Sequence, residues 1–338
     1  MQARSAKLVV LYNSKDISSD IAKFIKSFSY NDVMSGEADD VSITLEDRDE
    51  LWEGDWLPDK GALLTMSIIT TNWEHDGQEE FKLGEFEVDD IALSGPPHEA
   101  TIKAVSVPNN NELRGINKTR AWEKTKLSVI AKDIADDASM TLLYDTDTDT
   151  AIDRAEQTDQ SDLSFLLKLC KDSGLALKIA DKKIIVLDEV KYEAQTVATT
   201  IYKFSSRLKH YSIRSKMRDI YMACHEKYQE PKTNAVIEYT FTDPDKLEGK
   251  TLELNKHVKS IAEAEAIAKK ELREKNKEEI TISMDLMGSF LLSAGNTVNI
   301  SGFHTFDNYK YIIIRGRHEL GSSGYTTSID LRKCLNGY

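Results

Sequence analysis

Asp145, Asp147, Asp149, Asp153 and Glu156, in the stretch DTDTDTAIDRAE, stand at positions 1, 3, 5, 9 and 12 of a twelve-residue segment. At that spacing an EF-hand loop presents oxygen ligands to calcium, and the apolar Ile152 at position 8 also fits. Position 6 decides against it. The sharp turn there calls for Gly, and Thr150 adopts that backbone only with strain. The preceding MTLLYD reads as a strand where an EF-hand has a helix, and short Asp/Thr alternation is also the composition of a solvated turn. The stretch is expected to be a connecting loop holding no metal; a weak cation site is the alternative that its spacing leaves open.

The remaining chemistry-bearing residues form no recognisable set. The histidines, His75, His98, His210, His225, His257, His304 and His318, show neither HExxH nor His-plus-two-Cys spacing. Cys170, Cys224 and Cys334 lie far apart, outside any CxxC pair, and read as reduced, packed thiols. No GxSxG elbow, GxxxxGK[ST] phosphate loop or GxGxxG turn occurs. A glycosidase-like carboxylate pair chosen among 57 acidic residues would be arbitrary. Trp52, Trp56, Trp73 and Trp122 are expected to be packing anchors. The sequence therefore predicts no catalytic residue, no cofactor-binding residue and no metal ligand, and points to a binding or structural role.

The elements that would position any site come in three blocks. Residues 6–107 carry short alternating runs, VSITL, GEFEVDDIAL and ATIKAVSV, separated by turn clusters such as SGPP, and predict antiparallel β structure. PNNNEL, residues 108–113, reads as a linker. The period then changes: Leu127, Ile130, Ala131, Ile134 and Ala138 make a helical stripe with Thr125 as its expected N-cap. A second helix, SDLSFLLKLCKDSG, is expected to be capped by Ser161 and closed by Gly174, with Leu163, Leu166, Leu167 and Cys170 on one face. Alternating Leu175, Leu177 and Ile179, a DKK turn and IIVL predict a hairpin. From about residue 196 the strand signal returns, interrupted by one helix that Ser260 and Glu263 should open as a capping box. The fold class expected is mainly β with an α+β insertion: a first β domain over 1–107, an α/β insertion over 108–195, and a second β domain with one embedded helix over 196–338.

Composition bounds the function. At 338 residues, 40% hydrophobic and 30% charged, the chain suits two or three soluble domains. No apolar run approaches the ~18 residues of a membrane span, and the start lacks a secretory pattern, so a cytoplasmic site of synthesis is expected. The net charge of −13 is confined to residues 1–107, with 9 Lys+Arg against 22 Asp+Glu, leaving 35 of each sign beyond. Such a surface repels phosphate and argues against tight nucleic-acid binding there.

Three stretches together resemble the phage late control D family, the baseplate hub proteins of contractile tails. SGEADDVSITLEDRDELW, DWLPDKGALLTMSI and GEFEVDDIALSGPPHEATIKAVS are similar to its opening barrel. TKLSVIAKDIADDASMTLLYD with EQTDQSDLSFLLKLCKDSGLALKIADKKIIVLDE is similar to its helix-strand insertion, and SIAEAEAIAKKELREKNKEEITISMDL, LSAGNTVNISGF and YKYIIIRGRHELGSSGYTTSIDLR to its closing barrel. The resemblance implies two tail-tube-like barrels flanking the insertion, and a homotrimer whose pseudo-sixfold ring adapts a hexameric tail tube to a trimeric spike. Implied partners are further copies of the chain, the spike, the tube, the tape-measure protein and other baseplate parts, in a particle assembled in the host cytoplasm. The chain stops at Tyr338, so the puncturing tip is expected on another polypeptide. A baseplate-associated peptidoglycan hydrolase is the alternative of another class.

Overall fold

The computed structural model describes residues 3–107, 113–231 and 234–338. The expected linker at 108–113, apart from Leu113, and the expected boundary at 107/108 lie outside the described residues. The chain is mostly β, as its alternating runs predict. It divides into two compact units, Met1–Glu189 with Asp285–Ala294 and Ile314–Ile329, and Val190–Met284 with Gly295–Ile313 and Asp330–Tyr338.

In the first unit the expected runs are the strands Asp40–Glu46, Gln78–Ser94 and Glu99–Val105. With Ser5–Tyr12, Ile25–Val33 and Leu63–Thr71 they form an antiparallel sheet. Its order is Ile25–Val33, Asp40–Glu46, Glu99–Val105, Gln78–Ser94, Leu63–Thr71, Ser5–Tyr12. Residues 315–320 pair along the other side of Ile25–Val33. The period of two decides which face is inside: Val41, Ile43 and Leu45 are at most 2% exposed, while Ser42 and Thr44 turn outward. Val10, Phe28, Phe86 and Tyr325 join them in one core. Each such side chain contributes about 1.5–3 kcal/mol on burial. Gly288 permits the tightest contact, because a Cβ there would stand 2.2 Å from the Tyr325 ring.

Residues 117–187, which lie in the same unit, follow their sequence pattern closely. The helix Leu127–Asp137 buries Leu127, Ile130, Ala131 and Ile134, and Ala138 beyond its end is buried with them. Its cap differs from expectation. Thr125 belongs to the strand Asn117–Lys126, the N-cap residue is Lys126, and the missing acceptor is supplied from a distance by Asp149. The helix Asp162–Asp172 is capped as expected, Ser161 Oγ accepting from Ser164 N at 3.3 Å, and Gly174 follows it at φ +73°. Strands Ala176–Ala180 and Lys183–Leu187 form the expected hairpin. Asp181 and Lys182 both take positive φ, 48° and 56°, the geometry of a two-residue type I′ turn. Thr141–Asp145 pairs parallel to Lys183–Leu187. Asn117–Lys126 and Ala151–Ser161 make a separate antiparallel pair that hydrophobic periodicity did not announce.

Within this unit the insertion is bonded to the sheet. Leu177 O accepts from Gly36 N at 3.0 Å, and Ile179 O accepts from Ser106 Oγ at 2.9 Å. Beside these bonds Lys178 is buried against two carboxylates, those of Asp32 and Asp39.

In the second unit Ala223–Gln229 lies between Val236–Thr242, antiparallel, and Thr251–Leu254, parallel. The helix Ile261–Asn276 packs Ala268 and Leu272 on this sheet against Cys224. Ser260 Oγ caps it, accepting from Glu263 N at 3.2 Å, but the return bond reaches one residue further than a capping box: Glu263 Oε2 accepts from Lys259 N at 2.7 Å. Thr199–Tyr202 pairs parallel to Thr297–Ser301. Glu193 is buried with three partners: Oε1 accepts from Arg273 and Arg332, and Oε2 accepts from Leu335 N at 2.9 Å.

Candidate functional site

The acidic stretch does not converge. Asp145 closes the strand Thr141–Asp145, and Asp149 caps the neighbouring helix, its two oxygens accepting from Ser128 N at 3.1 Å and Ser128 Oγ at 2.8 Å. Burial pushes the Asp149 carboxyl up, but these hydrogen bonds, with that from Tyr144, outweigh it and hold it below its ordinary value. The second half of the stretch is not a loop. Residues 151–156 run within the strand Ala151–Ser161, which carries Glu156 roughly 16 Å from residue 151 at the rise of an extended chain. There Glu156 accepts from Arg154 Nε at 2.7 Å. Ligands around one calcium must all approach within about 2.6 Å of it. Among the described residues no group of three or more His, Cys, Asp or Glu is placed to hold a metal.

The three thiols and His318 are placed for packing, while His75, His210, His257 and His304 are exposed. Cys170, Cys224 and Cys334 are buried, and burial pushes each thiol up to about 12, so none is a thiolate at neutral pH. His318 is fully buried, and burial lowers it to about 4. Its Nδ1 lies 2.7 Å from Tyr325 Oη and 3.3 Å from Thr327 Oγ1. The tryptophans act largely as anchors. Trp73 Nε1 donates to Gly288 O at 2.7 Å, and Trp122 stacks on Phe165 with centroids 5.3 Å apart.

The ionic cluster at Lys178 is structural. Asp39 accepts from Val33 N at 3.0 Å and Tyr30 Oη at 3.1 Å and stands 3.2 Å from Lys178; Asp32 accepts from Ala294 N at 2.8 Å. Burial raises Asp39 to about 6 in spite of the ammonium beside it. Lys178 is pulled down by burial, but Asp32 and Asp39 outweigh that and hold it above its ordinary value.

Two surfaces carry features of recognition instead. In the second unit the strand Leu208–Ser215 has one neighbour in its sheet among the described residues, and most of its side chains are exposed. Residues 203–218 hold six Lys+Arg and no Asp or Glu. Among them Phe204 is 89% exposed and Met217 93%. Lys203 Nζ lies 5.4 Å from the Tyr211 ring and 5.6 Å from that of Phe303. A sliding charge count would have found this segment in the sequence.

The opposite chemistry occurs in the first unit. Residues 46–60 hold seven Asp+Glu against two Lys+Arg. Trp52, Trp56 and Leu57 of this loop, with Ile17 and Ile21, line a largely apolar pocket of about 360 Å³, whose charged wall residues are Asp20, Asp55 and Lys15. Edge-to-face contacts of Trp52 with Phe24 at 4.9 Å and with Trp56 at 5.3 Å stiffen the loop.

No protein-family model matches the chain. It is 25% identical over 370 aligned residues to a probable baseplate hub protein of Escherichia phage 186, covering 96% of this chain and 92% of the relative. A probable baseplate hub protein of Escherichia phage P2 is 29% identical over 189 residues, 53% of this chain and 44% of that relative. In fold the chain is similar to a tail protein of Neisseria meningitidis, with a TM-score of 0.72 at 13% identity over 97% of this chain and 96% of that one. It is also similar to a component of the Escherichia coli type VI secretion system, itself described as structurally similar to bacteriophage tail proteins, with a TM-score of 0.60 at 10% identity over 93% and 75% of the two chains. The resemblance to baseplate hub proteins read from the three ordered stretches is thus met again in sequence across nearly the whole chain, and the fold is that of tail proteins.

Proposed function

We propose that this chain is the structural hub of a contractile-tail baseplate, in a phage or a tail-like bacteriocin particle. The observation that carries the reading is the similarity to a baseplate hub protein along 96% of the chain. In this reading two tail-tube-like barrels flank the α/β insertion. Three copies close a pseudo-sixfold ring, and the ring joins a hexameric tube to a trimeric spike. The tape-measure protein and other baseplate parts are its remaining partners. The hub does no covalent chemistry; its work is shape and adhesion.

Two features support a conduit and scaffold. The excess of Asp and Glu in residues 1–107 outside the 46–60 loop would repel nucleic acid passing a conduit wall rather than hold it. The buried links of Lys178 hold the insertion fixed on the first sheet, which suits a part that must keep its geometry under load. The test is a cryo-EM map of particles purified from cells producing this chain. Density for it between tube and spike, in three copies, is the expected result; a different polypeptide at that junction would sink the proposal.

A further inference from the structure

We infer that the basic, aromatic edge of the second unit in one copy seats on the acidic pocket of the first unit in a second copy, so that copies join head to tail. This rests on the ring reading above and names its seam. The two surfaces match in charge: residues 203–218 carry six cations and no anion, and residues 46–60 carry seven anions against two cations. They match in shape of demand. Phe204 and Met217 project almost wholly into solvent, 89% and 93% exposed, while the pocket beneath Trp56 and Leu57 offers about 360 Å³ of largely apolar space. One of these two side chains, which lie beyond opposite ends of Leu208–Ser215, enters such a pocket, and the carboxylates at its edge meet the surrounding lysines and arginines. Leu208–Ser215 presents an open strand edge beside these side chains, which gives the contact a backbone component as well.

Unlike surfaces on one chain can pair reciprocally about a two-fold axis or join head to tail; in the head-to-tail arrangement, which the three-copy reading requires, the contact propagates until the rotation closes a ring. A chain carrying one donor surface and one acceptor surface is the unit such a ring needs.

The full chain is examined by sedimentation velocity over a concentration series at low and high salt. Wild type is expected to self-associate, more weakly as salt rises. Arg207→Glu, Lys209→Glu and Arg214→Glu together, all at exposed positions, are expected to weaken association at least about thirtyfold with an unchanged circular dichroism spectrum. Adding Glu53→Lys, Asp55→Lys and Asp59→Lys to that variant is expected to restore it to within about threefold. Phe204→Ala with Met217→Ser should weaken association without any change in its salt dependence. A monomeric wild type, undiminished association of the edge variant, or no recovery in the six-fold variant each overturns the inference. So does binding of a duplex DNA oligonucleotide that the edge variant loses while association is unchanged, since the edge is then a nucleic-acid surface. The hub reading is judged separately, on the particle map: a seam disproved in solution leaves it standing, and absence of the chain from the junction removes it without touching the measured association.

Discussion

Replacing Lys178 by Met tests how the insertion is held. The Lys178 ammonium faces Asp32 and, at 3.2 Å, Asp39, and the three side chains are 15%, 6% and 2% exposed. Met keeps most of the stem and its packing, so the change isolates the charge. Removing one partner of a buried ion pair costs about 3–5 kcal/mol, because the other charge is left without compensation. Two carboxylates are left here, and neither can reach water without breaking its bonds to Val33 N or Ala294 N. A loss of about 4 kcal/mol at pH 8 is expected, or roughly 10 °C in the melting of a unit of this size. The pH dependence has a definite sign. Asp39 has a folded value of about 6, above its ordinary 3.8, so its contribution to stability is full below 3.8 and is lost as pH rises through 6. Without the ammonium the folded value rises further, and the deficit of the variant must shrink between pH 8 and pH 5. All four tryptophans lie in the first unit, so urea denaturation followed by tryptophan fluorescence reports on it directly. A loss below about 1 kcal/mol at pH 8, or a deficit that does not change with pH, would refute the reasoning. Asp39→Asn added to Lys178→Met should recover part of the loss.

Asp149→Ala removes the remote cap of Leu127–Asp137 and should cost about 1 kcal/mol in chemical denaturation, while calorimetric titration with calcium gives no binding heat in either form. His318, lowered to about 4 by burial against its ordinary 6.5, contributes stability that is full above 6.5 and is lost as pH falls toward 4, roughly 3 kcal/mol in all. His318→Leu should therefore flatten the loss of stability of the first unit between pH 6.5 and 5, measured by urea titration at each pH. Gly288→Ala places a Cβ 2.2 Å from the Tyr325 ring and should lower the melting temperature by an amount equivalent to about 2 kcal/mol or more; an unchanged melt would mean that the ring moves freely there.

How much was legible in the sequence depended on whether the signal was local. The stripe Leu127 to Ala138, the Ser161 cap, Gly174 and the two-residue turn at Asp181 and Lys182 each follow from a few neighbouring residues, and each is found in place. Asn117–Lys126 was missed because NKTRAWEKTK alternates almost without apolar residues; its strand is fixed by pairing with Ala151–Ser161, not by a buried face. The cap of the first insertion helix was assigned to Thr125 because the true acceptor, Asp149, lies 21 residues from Ser128. The buried clusters were invisible for the same reason: Lys178 meets Asp32 across 146 residues and Arg332 meets Glu193 across 139. Of the two complementary surfaces, the acidity of residues 1–107 could be counted, but the coincidence of charge with an apolar pocket needed the fold.

The division of the chain between its units bears on how the protein is made. The first unit takes in residues 314–329, and its core includes Tyr325; the second takes in residues 330–338, which reach Glu193 through Arg332 and Leu335. Neither core is complete until translation has passed these last segments. At about 5–20 residues per second the sheet begun at Ser5 waits on the order of half a minute for Tyr325. A chain truncated before residue 325 thus lacks a finished first core and is expected to stay open to proteolysis.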